Sequence, residues 1–190
     1  MAAELDEATD TGTADIDAAA AERARRRPAV AVNRLSRLVV DPERLPDEQE
    51  PAAAYGRGAV YTRTCTGTPL RLEPYPRAAE LLDTYFCPYA DTVTAVVDDR
   101  LRVCGRAVIV DLHSYPLAPS GFEEPTAVRP ALCLGTDPVH TPAWLVDAAR
   151  GAFASLPGID HIAENTPYSG SYVPLRHYGR TSVRAARSRR

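Results

Sequence analysis

Apolar and polar positions change rhythm several times along the chain, and each rhythm predicts an element. From Asp15 the sequence is alanine-rich and ends in ERARRR, which predicts either a helix stopped by Pro28 or a frayed arm. LSRLVV (35–40), with its β-branched residues, predicts a buried strand, followed by a turn at Asp41-Pro42 and a charged loop. GAVYT (58–62) predicts a second short strand closed by Gly67. From Arg77 to Val103 the spacing is helical: AAELLDTYF first, then a second helix with Pro88 at its first position and Val93, Val96, Val97 and Leu101 along it. Gly105 punctuates. AVIVDL (107–112) is a continuous apolar run, the pattern of a central strand covered on both faces. ALCLG (131–135) reads as another buried strand, and Thr141-Pro142 as N-cap and first residue of a helix. That helix is expected to gather Leu145, Ala148, Ala149, Ala152, Phe153 and Leu156 on one face and to end near Gly158. HIAEN (161–165) completes the pattern as a short strand leading into a Gly/Pro/Tyr loop.

Strands alternating with helices argue for α/β: a mixed, mostly parallel central sheet flanked by helices. The chain has 190 residues, which suits one domain. The composition shift near Pro28 and the basic end divide it into an acidic, alanine-rich arm or helix over 1–27, a single α/β domain over 28–178, and a basic tail over 179–190.

Composition narrows the function classes. The chain is 45% hydrophobic and 25% charged, close to the globular average, which argues against a wholly disordered chain. No apolar run approaches the roughly 20 residues of a membrane helix, and the acidic start MAAELDEATD lacks the apolar segment of a secretion signal, so a soluble cytoplasmic protein is expected, with no membrane partner. All 22 basic residues are arginine, so neither a lysine Schiff base nor a phosphate-loop lysine can form. Acids dominate the first 50 residues and none follows Glu164, while VRAARSRR ends the chain with four arginines. One short basic tail is more often a solvated end than a nucleic-acid contact, and no nucleic-acid partner is expected. Cys65, Cys87, Cys104 and Cys133 are widely spaced without a CxxC pair, which excludes a zinc ribbon and a thioredoxin-type motif.

Three segments carry candidate chemistry. In VIVDLHSYP (108–116), Asp111, His113 and Ser114 follow the predicted strand, at the carboxyl end where α/β sheets bind ligands. Strand alternation sets Asp111 and His113 on one face, so the carboxylate can orient the imidazole as it would a zinc ligand. The plainer alternative is a histidine satisfied by local hydrogen bonds. In NRLSRLVVDPER (33–44), Arg37 and Arg44 have the planar fork that grips a carboxylate, although a surface ion-pair network around Asp41 and Glu43 explains them as well. NTPYSGSYVP (165–174) gathers an amide, hydroxyls and glycine in one loop that lines a pocket as readily as a surface. His140, His161 and His177 have no comparable context.

The order SRLVVDPER, GRGAVYTRTCTG, VDLHSYP, LGTDPVHTP and NTPYSGSYVPLRHY resembles the N-formylglutamate amidohydrolase family, over about Asp10 to Tyr178. The resemblance implies a zinc-carboxypeptidase-like α/β fold and a zinc-activated water that cleaves the amide of a small N-formyl or N-acyl amino acid. His113 matches the zinc-binding histidine of the family's D-x-H-S motif, with Asp111 as its orienting neighbour and a catalytic residue. Arg37 and Arg44 match the arginines suited to polarising the scissile carbonyl and gripping the substrate carboxylate; Asn165 and Tyr172 match the late loop that lines the pocket. Members also carry a P-H-S-G-like segment before this region and an E-I-R-R-like strand after it. Neither is in the sequence, which reads as truncated at both ends. The alternative function is therefore an inactive member retaining at most ligand binding. The pattern leaves the oligomeric state open.

Overall fold

The computed structural model describes residues 2–119, 124, 126 and 128–180. It forms two units, one ending at Val128 and the other beginning at Arg129. Each has its own supporting contacts.

The first unit is mainly helices and hydrogen-bonded turns. α1 (Ala2–Glu7) and α2 (Thr13–Arg23) meet at Gly12, whose φ of 79° is left-handed backbone natural to glycine. Helix is thus the outcome for the alanine-rich start. α1 is anchored by Glu4, which accepts from the Cys65 backbone N–H at 2.9 Å and pairs with Arg57 at 3.4 Å.

The two segments expected as strands at 35–40 and 58–62 are not strands. Val39 N–H closes a turn on Ser36 O at 2.8 Å, and Asp41 N–H donates to Ala59 O at 2.8 Å; no ladder joins the segments. Their apolar residues are nevertheless core. Leu38 and Tyr61 pack with Ala8, while Val40 and Ala59 pack with Phe86. Burial was legible; the backbone form was not.

α3 (Ala78–Leu81) runs through a π-helical turn (Leu82–Phe86) into α4 (Cys87–Cys104). Two separate helices were expected, and one continuous axis results. Pro88 lacks an N–H and crowds the preceding turn, and the wider π turn directly before it is the arrangement that accommodates such a residue. Gly105 ends α4 in left-handed conformation (φ 69°) and donates its N–H to Leu101 O at 2.8 Å.

The apolar run 107–112, expected as a covered central strand, belongs to no strand among the described residues. Val108 is 51% and Val110 73% exposed, so the run lacks the cover that its composition implied.

The second unit holds the sheet: β1 (Leu132–Leu134) and β2 (Ile162–Glu164), parallel, with Cys133 opposite Ala163. α5 (Ala143–Phe153) is the crossover between them. Its N-cap is Pro142 rather than Thr141, whose hydroxyl instead accepts from Asp137 N–H at 2.9 Å. Leu145, Val146, Ala149, Arg150 and Phe153 are half-buried, whereas Ala148, Ala152 and Leu156 are exposed. The covered face is therefore rotated from the expected one. Arg150 accounts for this: it donates to Ile162 O at 3.2 Å and to Glu164 at 2.9 Å, holding its own side of α5 on β2. The architecture is thus mixed helix and strand with a small parallel sheet, a reduced form of the α/β pattern. No helix among the described residues is long and apolar enough to cross a membrane.

Candidate metal centre

Asp41 is the residue that sets the site's floor. Its side chain is 1% exposed and accepts a hydrogen bond from Tyr61, itself 0% exposed. A buried carboxylate requires such partners to offset its lost hydration. The other oxygen accepts from Glu43 N–H at 3.2 Å, which fixes the backbone from Asp41 to Glu43 as a tight turn. Burial and the Asp41 charge together push the Tyr61 hydroxyl well above its ordinary value. It therefore remains a donor.

From that turn Glu43 meets Asp111 and His113. His113 Nε2 lies 3.1 Å from Asp111 Oδ2 and 3.3 Å from Glu43 Oε1. One donor atom from each of the three residues falls within 4.8 Å of the others. Each side chain is about a third exposed, open enough for a small ligand to enter.

The other ring nitrogen faces a different pair. Asp10 Oδ2 is 3.5 Å from His113 Nδ1, Arg37 Nη2 is 2.8 Å from the same nitrogen, and Arg37 is paired with Asp10. Asp10 is itself fixed by the Ser114 backbone N–H, 2.7 Å from Oδ1. Arg37 can only donate, so in this arrangement Nδ1 accepts from Arg37 and Nε2 carries the hydrogen toward Asp111; a ligand on Nε2 would require the hydrogen to move to Nδ1, where Asp10 is the nearest carboxylate.

These charges shift one another. The hydrogen bonds to Asp10 and then Asp111, helped by the Glu43 charge, push the His113 imidazolium up to about 10, although burial pulls the other way. Burial is the largest influence on Asp10 and would raise it, yet the His113 hydrogen bond, the Arg37 charge and the Ser114 N–H together hold it below its usual range. Burial pushes Glu43 up to about 7 against the pull of His113 and Arg37.

The set suits a divalent metal by its donor chemistry, since one imidazole nitrogen and two carboxylate oxygens converge; behind the ring stand Arg37 at 2.8 Å and Asp10 at 3.5 Å from Nδ1. Asp111 stands beside Nε2, whereas Arg37 and Asp10 stand at the other ring nitrogen.

The structure brings together Arg37, Asp111 and His113 of the residues singled out in the sequence. Arg44 lies 3.5 Å from Asp41 and 3.6 Å from Glu50, so two carboxylates already flank it. Asn165 and Tyr172 belong to the second unit. There Asn165 accepts from Thr136 N–H at 2.8 Å and returns a hydrogen bond to its hydroxyl at 2.8 Å, tying the ends of β1 and β2; Tyr172 is half-buried. Glu43 and Asp10 were missed. Glu43 lies within the motif VDPER, whose charges suit a surface ion-pair network equally well; Asp10, 103 residues from His113 in sequence, carries no local signal.

The N-formylglutamate amidohydrolase family model matches residues 1–187 of the chain. No curated protein and no solved structure matches it. The family model spans nearly the whole sequence, including every residue of the cluster, and the chain belongs to the N-formylglutamate amidohydrolase family.

Proposed function

We propose that the chain hydrolyses the amide bond of a small N-formyl or N-acyl amino acid, using zinc held by Glu43, Asp111 and His113. The observation that carries this reading is the convergence of those three donor atoms within 4.8 Å, in a chain of an amidohydrolase family. Bound zinc supplies Lewis-acid polarisation of the carbonyl and a water nucleophile at neutral pH.

The chain's own residues do the rest. His113 would present Nε2 to the ion, its hydrogen then moving to Nδ1 and the Arg37 guanidinium yielding that nitrogen to Asp10. Arg37 stands at the cluster, 2.8 Å from the ring, and its fixed positive charge favours the oxyanion that develops as water adds to the amide carbon. The carbon–nitrogen bond then breaks, and the proton given up by water leaves on the amine.

The test is formate release from N-formyl-L-glutamate by the zinc-loaded chain. Release that a chelator stops and added zinc restores supports the reading. If no N-formyl or N-acyl amino acid yields its free amino acid, the reading is contradicted and an inactive member is favoured.

A further inference from the structure

α2 is held to the rest of its unit by one edge. Thr13 and Asp17 are half-buried and Ala21 is buried, at four-residue intervals along a single ridge; every other residue of the helix is exposed, Ile16 at 60%. The N-cap residue, Gly12, supplies no side-chain hydrogen bond. A helix this short depends on packing rather than on propensity for its stability. One buried alanine is little cover for it.

Two positions on from that ridge, about 200° round the helix, runs a second one that faces outward: Asp15, Ala19 and Arg23, with Ile16 beside it. Its ends carry opposite charges about 12 Å apart along the axis, too far to pair with each other. Its middle is alanine, which lets another helix approach closely. A ridge that is negative at one end, small at the centre and positive at the other is complementary to itself turned end for end.

We propose that a second copy of this chain docks on this face, α2 against α2 in antiparallel, about a two-fold axis at Ala19. The register follows from the spacing. Asp15 of each copy meets Arg23 of the other, so two ion pairs flank the centre, and Ile16 comes across from Glu22 and covers its methylenes. Such a contact is isologous and closes at two copies. One helix about 16 Å long buries less than the roughly 800 Å² per partner of a standard interface, so the dimer is a weak, reversible one. The inference is independent of metal binding and of the hydrolase reading.

Sedimentation equilibrium of the full chain over a concentration series tests this. The parent is expected to pass reversibly from monomer to dimer as concentration rises. Asp15→Arg sets arginine against arginine on both sides of the axis and is expected to raise the dissociation constant about tenfold; Arg23→Asp does the same with carboxylates. The double variant, Asp15→Arg with Arg23→Asp, restores both pairs with their charges exchanged, and its dissociation constant is expected to return to the parent's. Both side chains are exposed, so circular dichroism of each variant is expected to match the parent. Ala19→Glu, which brings two carboxylates face to face at the axis without reversing a charge at either helix end, is expected to give the same loss. A parent that stays monomeric leaves the face to some other partner and would overturn the proposal. So would association that Asp15→Arg or Ala19→Glu leaves unchanged, or a double variant as weak as the single ones.

Discussion

The Ser114 backbone N–H donates to Asp10 Oδ1 at 2.7 Å, joining residues 104 positions apart in sequence. Through this bond the turn after α1 holds the loop that carries His113. Asp10 also pairs with Arg37, so one carboxylate fixes both the imidazole and its neighbouring cation.

Replacement of Asp10 is therefore expected to weaken zinc binding without removing a proposed ligand. Asp10→Ala removes the carboxylate nearest Nδ1 and the partner of Arg37, and losses behind a metal-binding histidine are typically about 10–100-fold in affinity. Competition against a chromogenic chelator measures this. Unchanged affinity would show that Asp10 does not orient the ring.

The metal-free chain is expected to lose stability as pH rises. His113 has a folded value of about 10, above its ordinary 6.5, so its contribution is full below 6.5 and disappears as pH climbs through about 10. Glu43, raised from 4.5 to about 7, acts in the same direction: burying its charged form costs stability increasingly between those values. Thermal melts of the chelated protein from pH 5 to 10 should show the decline. Glu43→Gln should flatten its lower part and His113→Asn its upper part. A melting temperature that rises over this range would contradict the assignment.

Tyr61→Phe tests the buried peg beneath the site. The change leaves an Asp41 oxygen without its hydroxyl donor in a place that water does not reach, which costs about 1–3 kcal/mol. Urea unfolding reads the loss. Since Asp41 also sets the turn to Glu43, zinc affinity should fall with it; a variant as stable as the parent would remove Asp41 from its structural role.

Gly135→Ala tests the second unit separately. A Cβ at this position would sit 2.4 Å from Gly170 O, a backbone atom that cannot step aside cheaply. Forced repacking of this kind typically costs about 1–3 kcal/mol. Faster amide exchange in β1 and β2 is the expected sign, and unchanged protection there would show that the two loops separate freely.

How much of this was readable beforehand varied with the range of the interaction. α4 and its end at Gly105, β1, β2 and α5 follow from local spacing, and all are present. The segments at 35–40 and 58–62 have strand composition, but the buried Asp41–Tyr61 bond and the Ser36–Val39 turn fix them as irregular backbone. At 107–112 periodicity reported apolar content and nothing about cover, because cover depends on what other segments pack there. The site divides similarly. His113 and Asp111 are two residues apart and were found together; Glu43 was seen but assigned to the surface. Its partnership with His113, 70 positions away, and that of Asp10 are tertiary facts with no periodic signature.

Zinc content after exhaustive dialysis against buffered zinc is the most direct test of the central claim. The parent chain should retain about one zinc per chain, and His113→Ala should retain a small fraction of that. A parent chain without bound zinc, or a His113→Ala chain with the parent's content, would contradict a metal centre built on Glu43, Asp111 and His113.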